Sequence, residues 1–233
     1  MRKVVEAIGC LVIILAVLTV FFTSQSYEVC FDEFFLMGYT VVLDAGHGGE
    51  DGGAIGISTL TRERDINLQI VYKIKNLLES AGASVVLTRY DEKALCKNEF
   101  VKMEDMRNRA AVIEENDPFI VISVHCNSFP QDKSVSGAQM FYFPGSESGK
   151  ALAESIQHSL KEYIDNNNNR VPKEENFFML RHGNSVSVMI ECGFLSTPEE
   201  EKLLITESYQ DKIAYAVFDG TIKYVSSTVF PQM

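Results

Sequence analysis

The chain has 233 residues, of which 46% are hydrophobic and 23% are charged, a composition typical of a globular protein rather than a disordered or fibrous one. A chain of this length favours one domain and buries roughly 70% of its unfolded surface on folding, so it needs no metal or disulfide framework merely to hold its fold. With 21 basic and 32 acidic residues the formal net charge is -11, and no segment concentrates Lys and Arg. We therefore expect no nucleic-acid partner.

The first 26 residues have the pattern of an export signal. Arg2 and Lys3 precede an apolar stretch over residues 8–22, and small polar residues follow it. This stretch is shorter than the ~20 residues of a usual membrane-spanning helix, although apolar residues before it extend it. Residues 1–26 are thus predicted to be either a signal peptide or a membrane anchor, which contacts the membrane at least during export.

The remaining chain predicts a single α/β domain, because β-rich and helix-period segments alternate after a connector over residues 27–38. The predicted elements are, in chain order, a strand over 39–43, a helix over 62–80, a strand over 84–88, a helix over 103–115, strands over 119–124 and 137–143, a helix over 148–163, a strand over 186–190, a short helix opened by Pro198 and a helix over 209–224. We expect an open, mostly parallel, twisted sheet with helices on both faces. The domain is predicted to span residues 39–225 and to be followed by a C-terminal tail, 226–233.

Three of the predicted strands end close to a residue that can bind a metal or move a proton. His47 follows the first strand, His125 follows the third, and Glu191 follows the strand over 186–190. In open α/β sheets ligands bind at the carboxyl ends of the strands, so these side chains are expected to converge. Glu63 lies in the first turn of the first helix, three residues before Ile66, on the face that points at the sheet.

Two imidazoles and one carboxylate form a set that leaves the fourth position of a tetrahedral zinc ion open for water. His47, Glu63 and His125 are the candidate ligands of one Zn²⁺ per chain, and Glu191 is the candidate acceptor of the water's proton. Each has an ordinary alternative. A histidine after a strand often makes only hydrogen bonds within its own loop. The helix dipole favours an acidic residue such as Glu63 in a first turn, and Glu191 can bind a neighbouring amide.

Two other chemistries are compatible with these residues. The same ligand set suits the non-haem iron of an oxygenase. A cysteine hydrolase would use Cys126 or Cys192, but both are predicted to be small core residues, because alternation along a strand turns neighbours to opposite faces. The five cysteines include no CxxC pair, which argues against a thiolate zinc site and gives no reason to expect disulfides.

Four segments resemble, in order, the motifs of the zinc-dependent N-acetylmuramoyl-L-alanine amidases of the amidase_3 family. They are VVLDAGHGGEDGG at 41–53, ERDINL at 63–68, ISVHCNS at 122–128 and IECGFLS at 190–196. The resemblance implies that His47, Glu63 and His125 bind zinc and that Glu191 is the catalytic glutamate. The implied reaction hydrolyses the amide between the lactyl group of N-acetylmuramic acid and L-alanine of the peptidoglycan stem peptide.

The small size, the apolar N-terminal segment and the absence of a cell-wall-binding repeat are most similar to the germination-related members of spore-forming bacteria. This implies action in spore-cortex muramic-δ-lactam formation by an exported enzyme, secreted or membrane-anchored, between the forespore membranes or in the cell wall. Open three-ligand sites can be metal-poor, so an accessory protein that stabilises the zinc site is also expected. The alternative function is a catalytically silent, zinc-dependent module that binds peptidoglycan or regulates another protein.

Overall fold

The computed structural model of the protein describes residues 35–165 and 167–229. The predicted signal peptide or anchor, residues 1–26, and the first part of the connector lie outside the described residues. Of the connector, residues 35–38 are described: Leu36 is buried, and its backbone N–H donates to the carbonyl of Ala81 at 2.8 Å.

The described residues form six strands, five α-helices and one 3₁₀-helix. The strands are β1 Thr40–Ala45, β2 Ser84–Leu87, β3 Ile120–Asn127, β4 Gln139–Tyr142, β5 Lys173–Glu174 and β6 Val186–Phe194. The helices are α1 Glu63–Ser80, α2 Lys102–Asn116, α3 Glu147–Tyr163, α4 Pro198–Leu204 and α5 Glu207–Val229, and the 3₁₀-helix is Phe178–Arg181. Helix α5 thus runs four residues into the segment predicted as a tail.

All six strands join one sheet in the order β2-β1-β3-β6-β4-β5. Its neighbouring strands run parallel, except that β4 is antiparallel to β6. The central strands are buried on both sides, as their continuous apolar sequences indicate. The predicted single α/β domain with a mostly parallel sheet is confirmed.

Helices cover both faces of this sheet, but unequally. Helices α1, α3 and α5 share the larger core cluster with one face, and on α1 this contact is the stripe Ile66, Ile70, Ile74 and Leu78. On the other face a small cluster combines Val42 and Val121 of the sheet with residues of α2 and the 3₁₀-helix. The thinner cover on this second face leaves room for a cavity beside the carboxyl edge of the sheet.

Two predicted strand ends were wrong in a way that matters for the site. Strand β3 continues to Asn127 and β6 continues to Phe194, so His125 and Glu191 lie within strands rather than beyond them. The reason is mutual pairing: the register that aligns Val124 with Ile190 continues and aligns His125 with Glu191 before it shifts. The backbone of both residues is therefore fixed by the ladder of the paired strands instead of belonging to a loop.

Among the helices of the described ranges, none combines the length and the apolar character that crossing a membrane requires.

Candidate metal centre

His47, Glu63 and His125 meet at the carboxyl edge of the sheet. One ligand atom from each of the three lies within 4.8 Å of the others. Glu63 Oε1 stands 3.2 Å from His47 Nε2 and 3.0 Å from His125 Nδ1, and the two imidazole rings are nearly perpendicular at a centroid distance of 5.0 Å. Two nitrogens and one carboxylate oxygen thus converge on one point, although 16 and 62 residues separate them in the chain.

The loop after β1 places His47 by an unusual backbone conformation. His47 has φ of 63°, in the left-handed region, which costs a non-glycine residue roughly 1–2 kcal/mol. Paired backbone bonds between Gly48 and Asp51, at 2.9 and 3.1 Å, close the turn behind it. The guanidinium of Arg109 also donates to the carbonyl of His47. The surrounding contacts therefore hold the strained residue in place.

Two glycines of this loop leave space for the candidate ligands. A Cβ atom at Gly46 would lie 2.2 to 2.6 Å from three ring atoms of His125. A Cβ atom at Gly53 would lie 2.5 Å from Glu63 Oε2 and 2.8 Å from His47 Cδ2. The missing side chains are thus a packing requirement of the cluster, beyond the freedom of the turn.

Glu63 is fixed from several directions at the start of α1. Its Oε2 accepts from the backbone N–H of Ala54 at 2.8 Å, and its Oε1 accepts from Cys126 N at 3.1 Å and from Asn67 Nδ2 at 3.2 Å. Burial by itself raises the pKa of this carboxyl group, but the bonds and charges of His125 and His47 outweigh it and the pKa is lowered. With only 4% of its side chain exposed, Glu63 is not an ordinary solvated acid of a first helical turn.

Glu191 lies opposite His125 in the β3–β6 ladder and has a different electrostatic environment. Burial raises its pKa to about 7, and the charge of Glu63 adds to the rise while His125 and His47 oppose it. Among the described residues, its buried Oε2 atom has no hydrogen-bond partner. A carboxylate that takes up a proton near neutral pH, beside the candidate ligands, has the properties of a general base or acid.

The structure adds Asp51, which the sequence analysis did not single out. Its Oδ1 lies 3.0 Å from His47 Nδ1, the ring nitrogen that faces away from Glu63, and also accepts from Gly53 N at 3.1 Å. His47 Nδ1 has no hydrogen-bond partner among the described residues, so this is a close electrostatic contact without hydrogen-bond geometry. A carboxylate in this position is suited to orient the second nitrogen of a metal-binding histidine. The available signal was an acidic residue four positions after His47 in a turn of glycines.

A buried network of ion pairs supports the loop that carries His47. The sequence analysis did not identify this network either. Arg109 Nη1 is 3.0 Å from Asp44 Oδ1, and Arg109 Nε is 2.8 Å from Asp105 Oδ2. The hydroxyls of Thr88 and Ser123 each donate to Asp44 at 2.7 Å. Burial raises the pKa of Asp44, but the charge of Arg109 and these hydroxyls outweigh it, and the pKa is lowered.

Two arginines connect this network to the loop backbone. Arg109 donates to the carbonyl of Ala45 at 2.6 Å, and Arg89 donates to the carbonyls of Ala45 and Gly46 at 2.8 and 3.0 Å. Guanidinium groups present several donors in a rigid fork, so they can fix consecutive carbonyls. These hydrogen bonds fix the backbone of the segment that leads from β1 to His47.

Cys126 and Cys192 lie in the core, as predicted. Cys126 and Cys192 are free, buried and part of the larger core cluster, on the sheet face opposite the cavity. The side-chain contact with Cys192 and burial both favour the protonated form of the Cys126 thiol and raise its pKa well above its usual value. A buried thiol of this kind is a poor nucleophile, so the geometry gives no support to a cysteine hydrolase.

Comparison with known proteins identifies the family to which the chain belongs. A profile of the Amidase_3 family, N-acetylmuramoyl-L-alanine amidase, matches residues 41–223. The germination-specific N-acetylmuramoyl-L-alanine amidase of Bacillus subtilis is 33% identical over 194 residues, which are 81% of each chain.

Solved structures show the same likeness. The CwlD amidase of Clostridioides difficile, determined in complex with the GerS lipoprotein, is 41% identical with a TM-score of 0.78, over 81% of this chain and 99% of that one. An N-acetylmuramoyl-L-alanine amidase from Clostridium difficile 630 is 31% identical with a TM-score of 0.72, over 82% of this chain and 98% of that one. The chain therefore belongs to the Amidase_3 family of N-acetylmuramoyl-L-alanine amidases.

Proposed function

We propose that this enzyme is zinc-dependent and hydrolyses the amide between the lactyl group of N-acetylmuramic acid and L-alanine of the peptidoglycan stem peptide. The observation that carries the proposal is the convergence of His47, Glu63 and His125 within 4.8 Å, with Glu191 beside them in the β3–β6 ladder. The first three residues hold the metal, and Glu191 moves the proton.

The donor set fits zinc. Two imidazole nitrogens and one carboxylate oxygen are a common ligand set of catalytic zinc, and the carboxylate of Asp51 lies 3.0 Å from the second ring nitrogen of His47, where such histidines usually have a partner. The same three ligands suit non-haem iron, but amide hydrolysis, the reaction of the family, requires a Lewis acid and no redox chemistry. Metal analysis of the purified protein separates the two ions.

The residues of the chain divide the reaction between them. When bound, zinc supplies a Lewis acid that polarises the lactyl carbonyl and lowers the pKa of water toward about 7. Glu191 Oε2 accepts a proton from the attacking water, whose oxygen bonds to the carbonyl carbon. As the carbon–nitrogen bond breaks, Glu191 delivers that proton to the departing nitrogen of L-alanine, leaving a lactyl carboxylic acid and a free amine.

A silent binding module is the competing function, and the environment of Glu191 argues against it. A module that only binds peptidoglycan has no need for a buried carboxylate with a raised pKa and an unpartnered oxygen. Perturbed groups of this kind concentrate at catalytic sites, where their protonation is used.

We further propose that the enzyme is exported and acts on spore cortex, in the formation of muramic-δ-lactam. The support is the likeness to the relative named germination-specific and the export pattern of residues 1–26. The CwlD amidase was determined in complex with a lipoprotein, which supports an accessory partner here that stabilises the zinc site. If the isolated chain already binds zinc tightly and is fully active, no such partner is needed.

The test is digestion of purified spore cortex and of vegetative sacculi by the full chain, with added zinc or with a chelator, followed by mass analysis of released fragments. Zinc-dependent release of peptides with a free N-terminal L-alanine is expected. Glu191→Gln should retain zinc and lose roughly 10²- to 10⁴-fold in turnover, the usual contribution of a positioned proton-transfer group. Retained peptidoglycan binding without peptide release by the wild type would instead identify a silent module.

A further inference from the structure

A cavity of about 200 Å³ adjoins the candidate metal centre. His47, His125 and Glu191, where the reaction is proposed to occur, are part of its lining. Its volume is below the roughly 300–1,000 Å³ of pockets that enclose a whole drug-sized ligand. The cavity can therefore receive only one part of a peptidoglycan substrate, either the sugar side or the peptide side of the amide.

The lining of the cavity also includes an apolar wall. It is formed by Met106 of α2, Met189 of β6 and the segment Phe177–Met179 at the 3₁₀-helix. This wall is fixed, because Phe177 packs edge-on against Phe141 at 5.5 Å and buried Met179 belongs to the small core cluster. It presents no hydroxyl, amide or charged side chain to a ligand. A sugar ring would leave its hydroxyls without partners there, whereas a methyl group would fit.

One solvent-accessible cation lies at this cavity. Lys102, the first residue of α2, has a side chain that is 63% exposed, and its Nζ lies 3.3 Å from Asp51 Oδ2. The other basic residue of the lining, Arg109, is 3% exposed and is bound to Asp44 and Asp105. An exposed ion pair such as Lys102–Asp51 contributes little to stability, so the ammonium group can turn to a second carboxylate at small cost.

We propose that this cavity binds the first two residues of the departing peptide. The apolar wall contacts the methyl group of L-alanine, and Lys102 pairs with the free carboxylate of the second residue, a glutamate joined through its side chain. This inference rests on the proposed amidase function and adds which side of the scissile amide is enclosed. Because the chain has a net charge of -11, it does not attract anions in general. The accessible ammonium group of Lys102 beside the site therefore attracts that carboxylate specifically.

The test of the charge contact uses two synthetic substrates and the zinc-loaded full chain. Both are N-acetylmuramoyl dipeptides, one with a free carboxylate on the second residue and one with a carboxamide there. The wild type should prefer the carboxylate about three- to tenfold in kcat/KM, mainly through KM. Lys102→Met should bring the ratio close to one, because only the cation distinguishes the two substrates, whereas the control Lys150→Met on α3 should keep the wild-type ratio.

The test of the apolar wall compares substrates with L-alanine or glycine as the first residue. One methyl group in a hydrophobic pocket changes kcat/KM by about 10- to 200-fold, so the wild type should prefer L-alanine. Phe177→Ala should reduce this preference several-fold. Because each ratio compares two substrates on the same protein, a general loss of activity or of zinc cancels.

The outcomes separate this inference from the function on which it rests. If the zinc-loaded wild type cleaves none of these substrates and releases no stem peptide from peptidoglycan, the amidase proposal fails. If it cleaves them all and Lys102→Met and Phe177→Ala leave both ratios at the wild-type values, only the assignment of the cavity is overturned. A dependence on glycan length that Phe177→Ala alters would overturn it too, because the cavity would then hold the sugar side.

Discussion

Gly46→Ala should separate His125 from the other candidate ligands. The new Cβ atom would lie 2.2, 2.4 and 2.6 Å from three atoms of the imidazole ring, whereas ordinary contacts begin at 3.4 Å. The ring would have to retreat by roughly 1 Å, because a shorter retreat leaves overlapping atoms. Metal–ligand distances tolerate changes of only about 0.2 Å, so His125 Nδ1 would leave the coordination distance.

The backbone at Gly46 cannot move instead of the ring. Its N–H donates to the carbonyl of Val124 at 3.0 Å, and its carbonyl accepts from Arg89 at 3.0 Å and from Asn67 at 3.2 Å. Outer-shell changes alone lower metal affinity about 10- to 100-fold, so displacing a ligand should cost at least that much. The expected result is a loss of zinc affinity of this size or more.

The assay is competition for zinc against a chromogenic chelator, with thermal unfolding of the metal-free protein as a check on the fold. Gly52→Ala is the matched control in the same loop, because the nearest atom to its new Cβ is the Cδ of the flexible Arg62 side chain at 3.2 Å. It should bind zinc as the wild type does. A folded Gly46→Ala protein with wild-type zinc affinity would refute the assignment of His125 to the metal.

Three further results are expected. Asp51→Asn should lower zinc affinity about 10- to 100-fold in the same competition assay, because His47 loses its orienting carboxylate, and an unchanged affinity would remove Asp51 from the site. Asp44→Asn should cost about 3 kcal/mol of unfolding free energy at pH 7 in chelator, because it removes one of the two carboxylates that neutralise the buried Arg109 while Asp105 remains. Folding lowers the pKa of Asp44 below its ordinary value of 3.8. The contribution of this carboxylate to the free energy of unfolding is therefore fully present above pH 3.8 and is lost as the pH falls through the folded pKa. Urea titrations across this range should therefore show a flatter acid dependence for the variant, and equal slopes would contradict the network. Thiol alkylation of the native enzyme should leave turnover intact, because Cys126 is buried on the other face, and inactivation would revive the cysteine mechanism.

The elements that the sequence predicted well are those with strong periodic patterns. The apolar repeat Ile66, Ile70, Ile74 and Leu77 identified α1, although the fully buried residue of its last turn is Leu78. The apolar run from Tyr39 identified β1, because burial on one helix face or inside a parallel sheet imposes such patterns. Strand β5 has two exposed residues, and the 3₁₀-helix depends on contacts with the sheet and α2. Neither carries a local pattern that could have revealed it.

The candidate site divides in the same way. His47, His125 and Glu191 could be found because parallel strands bring their carboxyl ends to one edge. The partners that support them could not, since Arg109 meets Asp44 across 65 residues and nothing in the local sequence marks either as buried. The apolar wall of the cavity was missed because its residues become neighbours only through the fold.

The assignment of His47, Glu63 and His125 as ligands of one zinc ion is tested most directly by X-ray diffraction from crystals of the zinc-loaded protein, at wavelengths on both sides of the zinc absorption edge. We expect a single anomalous peak about 2.0–2.2 Å from His47 Nε2, His125 Nδ1 and a carboxylate oxygen of Glu63, with Glu191 nearby but not bound to the ion. A peak elsewhere, or one that any of these three side chains fails to reach, would contradict it.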